Sequence, residues 1–136
     1  MNCERFVVSS AVVPQPLTGG SNVTTTFVDM NNRVHYSFLV QVGALAGSKG
    51  VKVALLGANA DDGTDAAVIG DTTYTAPESG SSGRMIAVRG RVTPNYRYLA
   101  VRVSNLDAAS ATTAAVALVS DGLHVPDDNG ITVLQV

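Results

Sequence analysis

The stretch Val34-His35-Tyr36-Ser37-Phe38-Leu39-Val40-Gln41-Val42 alternates without a break. Val34, Tyr36, Phe38, Val40 and Val42 fall on one side, and His35, Ser37, Leu39 and Gln41 on the other. Successive side chains of an extended chain point to opposite faces. A period of two therefore predicts a β-strand with its apolar side against a core.

The same signal recurs on both sides of this strand. Downstream, Val51, Val53 and Leu55 line one face of the next strand. Weak strands are expected at residues 66–69 and 72–75. Ile86, Val88 and Val92 then face inward, as do Leu99, Val101 and Val103, and residues 112–120 supply the last strand. The Ala-rich run 108–117 reads as a turn followed by that strand, because Thr112 and Thr113 favour extended backbone. Upstream, residues 6–13 are apolar and end at Pro14-Gln15-Pro16, which is expected to break the ladder. Val23, Thr25 and Phe27 share a face of a second strand, and Asp29-Met30-Asn31-Asn32 makes a turn. About eight strands at turn-punctuated spacing predict an all-β protein, a jelly-roll-like β-sandwich.

Composition sets the frame. The chain has 136 residues, of which 46% are hydrophobic and 15% charged. That length suits one domain spanning 1–136, with a core at 17–120 between extended N-terminal (1–16) and C-terminal (121–136) arms. Too much of the chain can be buried for disorder. The net charge of −2, without a basic block, argues against nucleic acid as a partner. No apolar run is long enough to cross a bilayer as a helix, so no membrane partner is expected. Cys3 is the sole cysteine, which excludes an internal disulfide and a cysteine metal cluster. Met1-Asn2-Cys3-Glu4-Arg5 lacks the features of a secretion signal, so synthesis in a reducing cytoplasm is expected.

Small apolar residues also occupy the faces opposite the core: Leu39, Ala54, Leu56, Ala87, Ala100, Ala115, Ala117 and Val119. A one-sided sheet would carry polar residues there, so part of this second face is expected to be covered, by packing against other subunits.

Few residues suggest chemistry. His35 and His124 have no acidic partner at catalytic or metal spacing. Asp61, Asp62 and Asp65 surround Gly63 and are candidate hard-oxygen ligands for a cation. Their spacing is not that of an EF-hand, and a solvated turn is the preferred reading. No cofactor is expected. Arginine is the one charge that clusters: Arg84, Arg89, Arg91, Arg97 and Arg102 fall in one stretch. Arg97 stands between Tyr96 and Tyr98, a setting suited to stacking or to bidentate carboxylate pairing. This Arg/Tyr group is a candidate docking face for an acidic surface.

The order of these segments resembles that of small structural proteins of tailed bacteriophages. The aromatic-rich strand of residues 34–42 ends in Gly43-Ala44, and the short apolar strand Val51-Lys52-Val53-Ala54-Leu55-Leu56 follows. A turn at Asp62-Gly63-Thr64-Asp65 comes next, then Tyr96-Arg97-Tyr98-Leu99-Ala100-Val101-Arg102-Val103 and an Ala/Val strand at 114–119. The resemblance covers residues 34–120 and is to capsid decoration, or cement, proteins. It implies a β-rich homotrimer made in the bacterial host cytoplasm. It also implies a place on the outer capsid surface of the virion, with the major capsid protein as partner. It supplies no residue motif for the trimer contact. On this reading the contacts fall to Phe6 and Val8 in the N-terminal segment, to Arg89, Arg91, Tyr96, Arg97, Tyr98 and Arg102, and to Ile131 and Val133 in the C-terminal arm. Other virion parts, such as a head-fibre base, tail or baseplate protein, remain alternatives. So does a carbohydrate-binding module, whose aromatic platform would have to be built from Tyr74, Tyr96 and Tyr98 because the chain has no Trp.

Overall fold

Residues 34–42 form the strand that their alternation predicts, with Phe38, Val40 and Val42 at 0% exposure. The computed structural model describes residues 6–31 and 33–122, and every regular element among them is a strand. In chain order these are β1 (Phe6–Leu17), β2 (Asn22–Thr24), β3 (Val28–Asp29), β4 (Arg33–Val42), β5 (Gly50–Ala58), β6 (Ala67–Thr75), β7 (Arg84–Arg91), β8 (Tyr98–Asn105) and β9 (Thr112–Gly122).

Two antiparallel sheets face each other. One has the order β1-β9-β4-β7, and the other β2-β8-β5-β6 with β3 also on β8. The pairs are nested: β1 with β9, β2 and β3 with β8, β4 with β7, β5 with β6. A long antiparallel ribbon whose tip lies between β5 and β6 has been rolled into a sandwich, which is the jelly-roll arrangement. The core lies between the sheets. Phe38, Val40, Val42, Val116 and Leu118 come from the first sheet, and Val51, Val53, Val101 and Val103 from the second.

Four details depart from the sequence expectations. The two prolines do not end the first strand. β1 continues through Pro14 and Pro16 to Leu17, with register shifts between Ser10 and Val12 and between Val12 and Gln15. It is an edge strand, where a missing N–H costs no ladder bond. The expected N-terminal arm is thus, over residues 6–17, paired with β9 of its own chain. Residues 67–69 and 72–75 belong to one strand, β6, with a bulge opposite Leu55 and Leu56.

The second strand is broken in two. Thr25, 4% exposed, sits in the gap. Its N–H donates to Val101 O at 2.9 Å, and its hydroxyl accepts from Val101 N–H at 3.0 Å. This side-chain substitution for a ladder bond breaks the alternation. Val23 packs on the core, whereas Phe27 turns away and lies against Gly63. A Cβ at Gly63 would run into the Phe27 ring, and its φ of +75° also favours glycine.

The fourth departure concerns the second face. Ala54, Leu56, Ala58 and Ala100 are buried although they stand outside the core cluster. In register, Ala54 lies beside Arg102 and Ala58 beside Tyr98, side chains long enough to shield a small neighbour. On this sheet the chain buries its own outer apolar residues, so they need no partner subunit. Leu39, Ala115, Ala117 and Val119 on the other sheet are only half-buried, and Ala87 is exposed.

Candidate functional site

The acidic loop after β5 turns its carboxylates onto its own backbone. Asp65 accepts from Asn59 N–H at 3.0 Å and from Ala60 N–H at 3.0 Å. Asp62 accepts from Thr64 N–H at 3.0 Å. The two amide bonds hold the Asp65 carboxyl below the usual carboxylate range, Ala60 contributing most. No three acidic, histidine or cysteine side chains converge among the described residues. Asp62 and Asp65 thus bond backbone amides of their own loop.

That turn has a downstream effect. Asn59, fixed by Asp65, donates through Nδ2 to Asn95 O at 3.2 Å and accepts at Oδ1 from Arg97 N–H at 3.3 Å. It clamps the loop entering β8. Arg97 forks onto Asp29 of β3, Nε to Oδ1 at 3.1 Å and Nη2 to Oδ2 at 2.9 Å. The guanidinium also lies 5.4 Å from the Tyr98 ring centroid. The Arg97 hydrogen bond lowers the Asp29 pKa, and Asp29 raises that of Arg97. The carboxylate pairing expected for an arginine between two tyrosines is therefore satisfied within the chain.

Between this loop and the β3–β4 turn lies a groove of about 400 Å³, lined by Met30, Arg33, Val92, Pro94, Tyr96 and Arg97 among others. Met30, at 2% exposure, is buried beneath it. The Tyr96 ring is seated over Gly57, where any Cβ would collide with it. Arg33 reaches the groove through a register shift between Arg33 and Tyr36. Its guanidinium donates to the hydroxyl of buried Ser120. Partial burial pulls the Arg33 pKa down, against the opposing pull of Asp29. Arg33, Asp29 and Met30 were absent from the sequence-derived candidates. A bulge leaves no mark in hydrophobic periodicity, and an apolar Met30 inside a polar turn was the one available signal.

The other candidates are dispersed. Arg89 and Arg91 are exposed on β7, in register with Ser37 and His35 on the outer face of the first sheet. Arg102 and Tyr98 lie on the outer face of the second sheet, on the opposite side of the sandwich. The Arg/Tyr group is thus not one surface. Arg84 stands 4.9 Å over the Tyr74 ring. This stack joins β7 to β6, the terminal strands of the two sheets. Beside it a cleft of about 300 Å³ reaches core residues Val53 and Leu55. Phe6 and Val8 are placed only by backbone register, opposite Asp121 and Val119. Ile131, Val133, His124 and Cys3 lie outside the described residues.

The outer face of the first sheet carries a run of apolar residues. Leu39 sits in register with Ala87 on one side and Ala117 on the other, and Ser37 with Val119. Met85, 58% exposed, and Val13, 63% exposed, extend it. Arg89 and Arg91 border it.

No family model and no curated protein matches the sequence. Solved structures do share its architecture. The exported protein XepA of PBSX superposes with a TM-score of 0.57 at 12% identity, over 96% of this chain and 42% of that one. The structure of infectious bursal disease virus Gx strain gives 0.59 at 7%, over 87% and 32%. The enzymatically active domain of bacteriophage CBA120 tailspike protein 4 gives 0.51 at 10%, over 86% and 19%. This chain spans less than half the length of each, and what it shares with all three is the β-sandwich fold.

Proposed function

We propose that this protein is a non-enzymatic structural component of a tailed-phage virion, a decoration protein that binds the assembled head as a homotrimer and braces it. The observation that carries this reading is the apolar outer face of β9, β4 and β7, which no described residue covers, centred on Leu39 and bordered by Arg89 and Arg91. Contiguous exposed apolar surface with a charged rim is the usual character of a protein contact. Its small side chains leave a flat surface that a second protein can approach closely. Among the described residues the outer edge of β7 beside it is unpaired, a further place for strand pairing. The likeness in fold to a phage tailspike domain, an exported PBSX protein and a viral particle is in keeping with this reading. A cement protein prefers the assembled shell to its loose parts, so binding stabilises the shell by mass action, and many copies compensate for modest affinity at each.

Two measurements test it. Light scattering on a sizing column is expected to give three times the chain mass. Cosedimentation with phage heads is expected to be saturable and to weaken when Arg89 and Arg91 are both replaced by Ala, with the circular dichroism spectrum unchanged. A monomer that does not cosediment with heads overturns the proposal.

A further inference from the structure

We propose that the groove between Met30, Asn31 and Arg33 on one side and residues 92–97 on the other binds a compact carboxylate-bearing sugar of the uronic-acid type. This inference goes beyond the virion role and does not depend on it.

The first argument is charge. Three charged groups stand together there: Arg33, Arg97 and Asp29. Both Asp29 oxygens are engaged by the Arg97 fork. Arg33 donates to the neutral Ser120 hydroxyl and feels Asp29 only through space. Among the described residues the groove therefore sets two guanidiniums against one carboxylate, and the Arg33 guanidinium has lost part of its hydration. An incoming carboxylate would restore that hydration as a charge-assisted, planar pair.

The second argument is shape. A volume of about 400 Å³ lies within the usual range for small-molecule sites. Met30, Val92 and Pro94 make the apolar part, and the Tyr96 ring, backed by Gly57, is a rigid platform. Asn31 and Thr93 bring polar side chains to the rim. A sugar acid presents the matching set: an apolar ring face, hydroxyls and one carboxylate.

The third argument separates a compact ligand from a peptide. An extended peptide usually binds through free backbone groups of a strand edge. Here three of those groups are already engaged. Met30 N–H donates to Arg97 O at 2.8 Å, Arg33 N–H to Met30 O at 3.1 Å, and Val92 N–H to Val34 O at 2.8 Å. That favours recognition through side chains.

The test is a titration of the intact, isotope-labelled protein with sodium glucuronate, followed by amide NMR shifts. Glucose, inorganic phosphate and a blocked Gly-Glu-Gly peptide serve as comparisons. Glucuronate is expected to shift signals of Met30, Asn31, Arg33 and 92–97 saturably, and to bind more tightly than any comparison compound. Arg33→Gln is expected to weaken glucuronate roughly tenfold or more, the worth of one hydrogen bond to a charged group. Arg89→Ala is expected to leave it unchanged. Glucose binding equally well would remove the carboxylate from the account. Phosphate or the peptide binding as tightly would overturn the sugar assignment, as would no saturable shift with glucuronate. The comparison among ligands uses the unmodified protein, so it stands even if Arg33→Gln fails to fold.

Discussion

Asn59 shows how a single side chain carries position across the molecule. Its amide joins the end of β5 to the loop entering β8, and Asp65 holds it in place. Asn59→Ala is expected to release residues 95–97 without disturbing the core. The amide signals of Tyr96 and Arg97 should broaden or move, while the urea midpoint falls only slightly. Acid should act on the same contacts. Asp29, Asp65 and Asp107 all have folded pKa values below their ordinary value, through Arg97, through the Ala60 and Asn59 amides, and through the Ser110 hydroxyl with the Ala109 amide. A carboxylate with a depressed folded pKa contributes its full stabilisation above its unfolded pKa, and loses it as pH falls through the folded one. Urea stability is therefore expected to hold from neutrality down to about pH 5, then decline below about pH 4. Asp65→Asn should make that decline shallower. The three aspartates around Gly63 are visible in the sequence, but their work is not. Whether carboxylates converge on a cation or fold back onto amides depends on φ and ψ in the loop, which residue types alone leave open.

At the scale of elements, strict alternation proves sufficient where one face of a strand is buried throughout. The inward residues of β5 and β8, and those of β4 from Tyr36 to Val42, lie where the period of two puts them, whereas Val34, beyond the register shift, is exposed. Phe38 is the largest fully buried side chain, so Phe38→Ala should cost about 3–5 kcal/mol in urea unfolding. A shift below 1 kcal/mol would mean that the site collapses around the smaller residue. Alternation fails where the ladder slips. The buried Thr25 hydroxyl replaces a backbone partner and sends Phe27 outward, and the register shift before Tyr36 directs Arg33 to Ser120. A slip of one residue reverses every side chain beyond it. β1 errs the other way. Its prolines suggested a stop, yet an edge strand with two register shifts accommodates them.

The whole molecule has two unlike outer faces. The β8–β5 face shields its own small apolar residues beneath long neighbours, whereas the β9–β4–β7 face leaves Leu39, Ala87, Ala117 and Val119 accessible. Sequence placed both sets opposite the core, and only packing separated them. Leu39→Asp is expected to leave the sandwich folded, because Leu39 is only half-buried. The same change should dissociate the proposed trimer on a sizing column. An unchanged mass would move the subunit contact to the β6 and β7 edges.

The sequence by itself determined the all-β class, the inward residues of the central strands and the jelly-roll-like sandwich. Each of these follows from hydrophobic periodicity and turn composition, which act over a few neighbouring residues. Tertiary structure alone decided that Asp29, Arg33, Tyr96 and Arg97 share one groove. It also decided that Arg89 and Arg102 stand on opposite sides, and which outer face stays open. Those outcomes hang on register shifts and on which long side chain lies beside which small one, contacts between residues far apart in the chain that no local pattern encodes.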